Sequence, residues 1–220
     1  MVSSLPEALS SIDPRDALLI AGPSKRKFSG GDETVPAGSG WPPDLLRARA
    51  AVLARSALDG RCALPAWRRY DGTFYRNARQ VLEAAAANGR LLILSGGYGV
   101  LRADEPIGYY DRKLKLRDWP AGLLERTIID QARAAGAAHV VGFVSASADY
   151  AKLLRRTPWD EAGVPATLVT IEYHGGGAQV EVPRRLAQAF GAFWHGGEFP
   201  PGAAVEELSE RVARPRSRGR

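Results

Sequence analysis

The chain has 220 residues, 45% of them hydrophobic and 25% charged, with a formal net charge of +6; this is ordinary globular composition with material for a sizeable core, and the positive balance favours an anionic partner. Cys62 is the only cysteine, which excludes an intrachain disulfide and a cysteine-built metal site, and His139, His174 and His195 show no paired ligand spacing. No apolar run approaches the length of a membrane helix, and the opening MVSSLPEALSSIDPRDA lacks the basic-then-apolar pattern of a signal peptide, so the expectation is a soluble cytoplasmic protein with no membrane partner.

In chain order, a polar lead-in with Pro6 and Pro14 precedes Ala17 to Ala21, a first short buried strand that ends at Gly22-Pro23. Ser24-Lys25-Arg26-Lys27 follows at once, a hydroxyl and three cations placed where a phosphate or carboxylate could be anchored. Residues 29–43 are rich in glycine, proline and small polar residues and predict a long loop. Asp44 to Leu58 carries a helical apolar pattern with Asp44 as its cap and with Arg47, Arg49 and Arg55 on the solvent side. A polar connection leads to Tyr70, Asp71, Gly72, Phe74 and Tyr75, at the start of a helix that ends at Asn88-Gly89. Aromatics there suit core packing or stacking on a base.

Leu91 to Leu94 is a run of four apolar residues, and Ser95-Gly96-Gly97-Tyr98-Gly99 follows it. Such a run fits a strand buried on both faces, and three glycines in four positions allow a sharp turn and close approach to a ligand. Ligands of open α/β sheets bind beyond the carboxyl ends of strands, so an acidic, tyrosine-rich loop holding Asp104, Glu105, Tyr109, Tyr110 and Asp111 is expected to gather there. Leu123 to Ala135 is an amphipathic helix, and His139 to Val144 is another buried strand, ending in Ser145, Ser147, Asp149 and Tyr150. Ala166 to Tyr173 predicts a strand, His174 to Gly177 a tight turn and Ala178 to Val182 its hairpin partner, before a helix from Arg184 to Trp194 with Arg184 and Arg185 on its first turn. The elements together predict one α/β domain over residues 1–210, with a central mixed, largely parallel sheet, flanking helices and a late antiparallel hairpin. Residues 211–220 are expected to form a disordered basic tail.

Five separated blocks resemble the YaaA-like family: LLIAGPSKRK (18–27), YDGTFYRNA (70–78), LLILSGGYGVLRADEPIGYYDRKL (91–114), VVGFVSASADYAKLL (140–154) and, more loosely, VPRRLAQAFGAFW (182–194). These are bacterial proteins associated with peroxide stress and DNA binding, with relatives that act as DNA base glycosylases. The resemblance implies a positively lined cleft made by Ser24 and Lys25; Asp71, Gly72 and Tyr75; Ser95, Gly96, Tyr98 and Gly99, with Gly97 among them as a further candidate; an acid and tyrosine from Asp104 or Glu105 and Tyr110; Ser147, Asp149 and Tyr150; and, loosely, Arg184 and Arg185. Ala103 and Tyr109 stand where that family has prolines, and the segment before Tyr70, which in the family carries a helical element implicated in duplex binding, is shorter here; the shorter segment favours a smaller substrate such as a free nucleotide or nucleoside.

Cleavage of an N-glycosidic bond passes through an oxocarbenium-like sugar and needs a carboxylate to stabilise charge or activate water. Glu105, Asp111 and Asp104 are the candidate acids, with Glu105 and Asp111 favoured because they flank the tyrosines. Tyr75, Tyr98 and Tyr110 can stack or hydrogen-bond, and Ser24, Lys25, Lys27 and Arg184 can hold phosphate. No metal or redox cofactor is required. The expected activity is hydrolysis of the base from a nucleotide or from DNA; the alternative is a non-catalytic DNA-binding protein of the oxidative stress response.

Overall fold

A computed structural model describes residues 6–31, 40–56 and 58–209. The basic tail at 211–220 and residues 32–39 of the expected loop lie outside the described residues. The elements run α1 (Glu7–Ser10), β1 (Ala17–Ala21), α2 (Pro43–Leu53), β2 (Leu58–Pro65), α3 (Ala66–Arg69), α4 (Thr73–Asn77), α5 (Arg79–Ala87), β3 (Leu91–Ser95), β4 (Gly99–Arg102) and β5 (Pro106–Tyr110). They continue with α6 (Leu123–Ala134), β6 (His139–Phe143), α7 (Asp149–Arg156), α8 (Trp159–Ala162), β7 (Ala166–Ile171), α9 (Ala178–His195) and β8 (Ala203–Glu207).

Six strands form one sheet in the order β4-β3-β1-β6-β7-β8. The four inner strands are parallel, and β4 and β8 close the two edges antiparallel. The continuous apolar runs follow from this placement, because a parallel strand covered on both faces has no polar side. Alternate residues still go to different layers. Leu19, Ala21, Ile93, Val141 and Phe143 pack with Phe74, Tyr75, Leu82, Phe190 and Phe193 from α4, α5 and α9. Leu18, Ile20, Leu92, Leu94 and Val140 pack with Leu45, Val52, Ile128, Leu154 and Trp159 from α2, α6, α7 and α8. The result is three layers, with a separate ribbon of β2 and β5 beside them. The aromatics at the start of α4 are core residues: Phe74 and Tyr75 are buried, with Phe74 against Phe190 at 5.7 Å between ring centroids.

Several local expectations change. The helix expected to reach Leu58 ends at Leu53, where the Ser56 hydroxyl bonds the Val52 carbonyl and its N–H bonds Leu53. The expected polar connection contains β2, and the expected acidic loop after Gly99 consists of β4, a turn and β5. The partner of β7 is β8, reached through α9, and Ala178 to Val182 is the first part of that helix. Gly177, at φ 75, turns the chain into α9 ahead of Pro183, which sits inside the helix instead of opening it. Arg184 and Arg185 therefore lie beyond the first turn and both pair with Glu181. No described helix is long and apolar enough to cross a membrane.

Candidate functional site

In the sheet order, β1 lies between β3 and β6. The helices that lead into β3, α4 and α5, pack on one face, and α7 and α8, between β6 and β7, pack on the other together with α2. Adjacent strands whose connections leave to opposite sides open a crevice at their carboxyl ends. A cavity of about 560 Å³ lies there, lined from β1 by Pro23, Ser24, Lys25 and Lys27, from the end of β5 by Tyr110, Asp111, Arg112, Lys113 and Leu114, and from the start of α7 by Ala148, Asp149 and Tyr150. Its size falls within the roughly 300–1,000 Å³ usual for small-molecule sites.

The segment after β1 is stitched to the segment before α4. Ser24 donates its hydroxyl proton to the Arg26 carbonyl and accepts the Gly72 N–H at 3.0 Å. A Cβ at Gly72 would sit 2.5 Å from Ser24 Cβ, so this approach needs glycine. The Asp71 N–H bonds the Arg26 carbonyl, Lys27 forms a bridge with Tyr70, and the Tyr75 hydroxyl donates to the Gly22 carbonyl at 2.7 Å. The Asp71 carboxylate is buried between Arg76 and Arg26, 2.7 and 2.8 Å away. The hydrogen bonds from Arg76, with both positive charges, hold it below the usual carboxylate range. Asp71, Gly72 and Tyr75 do not line the cavity themselves; they hold in place the segment from Ser24 to Lys27, which does, and the Ser24 proton goes to the backbone.

Beneath the rim lies a line of hydroxyls. Tyr110 Oη is 2.6 Å from Tyr70 Oη and 2.8 Å from Ser95 Oγ, and Ser95 Oγ accepts the Tyr98 N–H. Burial pushes the Tyr110 phenol up to about 12 and raises Tyr70, Tyr75 and Tyr150 as well. These phenols stay neutral at physiological pH. Lys27 Nζ stands over the Tyr110 ring, 4.5 Å from its centroid, and bonds the Lys25 carbonyl at 3.3 Å. Burial lowers the Lys27 amine below the ordinary lysine value, while the charge of Asp111 pulls it up.

The carboxylates differ in their freedom. Asp149 accepts the Leu116 N–H at 3.1 Å and pairs with Lys152 at 3.3 Å. Asp111 is exposed, and no described residue is within ion-pair distance of its carboxylate. A Cβ at Gly96 would sit 2.0 Å from the Arg112 carbonyl, so the backbone of the cavity wall after Asp111 rests directly on the turn between β3 and β4. Gly97 lies in the same way under the Tyr110 ring, where its Cβ would meet Tyr110 Cδ2 at 2.8 Å.

Other expected site residues are not part of this cavity. Glu105 is held by Arg49 at 2.7 Å and by the Trp41 indole N–H at 2.9 Å. Arg49, read from sequence as a solvent-facing residue, is 5% exposed and also donates to the carbonyls of Tyr98 and Val100. Burial lowers the Arg49 guanidinium and Glu105 opposes that effect. The cause of the separation is the strand pairing. β4 runs antiparallel to β3, carrying the chain to the far end of the sheet at Asp104 and Glu105, and β5 brings it back to Tyr110 and Asp111. Asp104 is exposed in that far turn. Tyr98 is buried, with its hydroxyl accepting the Gly108 N–H. Ser147 lines a separate cleft with Tyr173 and Gln179, and Arg184 is paired with Glu181.

Arg112 and Lys113 join the cavity without having been singled out. Their signal was present in the basic run RKLK directly after Asp111. Arg112 pairs with Asp118 at 2.7 Å, whereas Lys25, Lys27 and Lys113 form no close ion pair among the described residues and Lys27 feels the charge of Asp111. Nor does any group of three or more His, Cys, Asp or Glu side chains, among the described residues, stand where it could hold a metal ion. Comparison with known proteins returned no matching family model and no significant match among curated proteins.

Proposed function

We propose that the cavity binds one nucleotide unit and hydrolyses its N-glycosidic bond. The observation that carries this reading is Asp111: a carboxylate with no ion pair among the described residues, in a cavity that it shares with the amines of Lys25, Lys27 and Lys113, of which Lys27 feels its charge. Free amines suit a phosphate. A free carboxylate among them has a different use, which is to face positive charge that develops on a sugar. The resemblance to YaaA-like proteins, some of which remove bases from DNA, points the same way.

In this mechanism the phosphate sits against the lysines and the sugar lies beside Asp111. The bond from C1′ to the base nitrogen breaks with its electron pair leaving on the base. Asp111 stabilises the oxocarbenium-like sugar and orients a water, whose oxygen bonds C1′ and whose proton passes through the carboxylate to the departing base. The neutral Tyr110 presents its ring and its buried hydroxyl holds the wall in place. Glu105 takes no part, because Arg49 and Trp41 occupy both its oxygens.

The test is incubation with nucleoside 5′-monophosphates and with single-stranded and duplex DNA containing modified bases, with mass detection of free base. Base release that is lost in Asp111→Asn supports the reading. Binding without release in every case favours the second reading, a non-catalytic DNA-binding protein. One observation favours that alternative: Arg68 and Arg79 line a cleft with Phe28, with the Arg79 guanidinium 5.8 Å from the Phe28 ring. It predicts duplex binding that weakens steeply with salt.

A further inference from the structure

A second space adjoins the cavity. Pro23 and Tyr150 also wall a smaller slot of about 100 Å³, completed by Phe143, Val182, Pro183 and Ser145 among others. The two spaces share a boundary and differ in chemistry. The first carries lysines and Asp111, whereas the slot is lined by apolar side chains and no described charged one. Ser145 supplies a hydroxyl with no side-chain partner among the described residues.

Resting on the nucleotide reading above, we infer that the slot seats the planar base while the cationic cavity holds the phosphate and sugar of the same molecule. A nucleotide has this division itself: one end is anionic and strongly hydrated, and the other is a flat ring that gains by leaving water. An apolar slot has nothing to offer a phosphate, and a cavity of free amines has little to offer the face of a base. Pro23 and Tyr150 then stand where the two halves meet, and Ser145 can bond a polar edge of the ring. Burial keeps the Tyr150 phenol protonated, so the wall carries no negative charge to repel the phosphate beside it. Stacking of a base is expected to tighten binding by about five- to 150-fold.

The experiment uses the full chain carrying Asp111→Asn, to stop turnover, and titration calorimetry with ribose 5-phosphate and the four common nucleoside 5′-monophosphates. At least one monophosphate is expected to bind about tenfold tighter than ribose 5-phosphate. Adding Val182→Trp, which fills the slot from its rim, is expected to bring that ratio close to one with ribose 5-phosphate affinity held within about twofold. A thermal melt shows whether the tryptophan is accommodated; Ser145→Ala is the second variant and is expected to narrow the preference by about threefold through its lost hydrogen bond. Equal binding of monophosphates and ribose 5-phosphate, or a preference unchanged by both variants, overturns the slot assignment and leaves the cationic cavity standing. If no phosphate-bearing probe binds, the nucleotide reading itself fails and the slot assignment falls with it.

Discussion

Glu105 and Asp111 flank one short strand, β5, and the protein uses them in opposite ways. Glu105 is enclosed by a guanidinium and an indole, with its side chain 13% exposed, and it fastens α2 to the turn before β5. Asp111 is open, faces the cationic cavity and has no ion-pair partner among the described residues. An extended strand of this length separates them by roughly 15–20 Å. A carboxylate in a tyrosine-rich stretch is thus a poor guide to chemistry until the direction of the chain is known. What distinguishes the two acids is whether the fold has already satisfied them.

The comparison can be broken from either side. The largest effect is expected at the open acid: Asp111→Asn should lower turnover by about 10²- to 10⁴-fold, with the thermal midpoint nearly unchanged. At the closed acid the pattern inverts. Arg49→Met leaves Glu105 buried without its cation and should cost about 3–5 kcal/mol in urea unfolding, with any activity of the remaining folded protein preserved. If Arg49→Met were neutral in stability, Glu105 would not be the anchor described above. Tyr110→Phe removes the hydroxyl between Tyr70 and Ser95 and should cost about 1–3 kcal/mol, read from the same unfolding curves.

A smaller, pH-dependent effect follows from the same buried phenols. Their folded values lie above the ordinary value of 10.0, with Tyr110 at about 12. The folded state therefore holds their protons more tightly than the unfolded chain. Their stabilising contribution is complete below pH 10 and is lost as the pH rises from there through about 12. The urea midpoint should fall between pH 9.5 and 11.5 in the wild type, and fall less in Tyr110→Phe (both pH values bracket roughly the unfolded tyrosine range). Lys27 acts with the opposite sign, since its lowered amine releases a proton in the folded state first.

Much of the sheet was legible because β1, β3, β6 and β7 are apolar runs ended by glycine, small residues or a turn, which only a sheet covered on both faces accommodates. The place of the cavity was legible too, since Ser24 and Lys25, Tyr110 and Asp111, and Asp149 and Tyr150 all lie just beyond strands or at the helix start that follows one. Two other elements were not. β2 contains Gly60, Arg61 and Pro65 and becomes a strand through its pairing with β5; β8 takes the edge of β7 that Ala178 to Val182 was expected to fill. The fate of Glu105 was hidden for a related reason. It depends on Arg49 and Trp41, each more than fifty residues away in sequence, and nothing local marks Arg49 as buried and Arg47, two residues before it in α2, as not.

The central claim, that the cavity at the end of β1 cleaves a nucleotide through Asp111, is tested most directly by mass detection of free base from a panel of nucleoside monophosphates and modified DNAs, run with wild type, Asp111→Asn and Glu105→Gln side by side. The account predicts base release by wild type, its loss in Asp111→Asn and its retention by whatever Glu105→Gln protein remains folded. Full release by Asp111→Asn, or no release from any substrate, would contradict it.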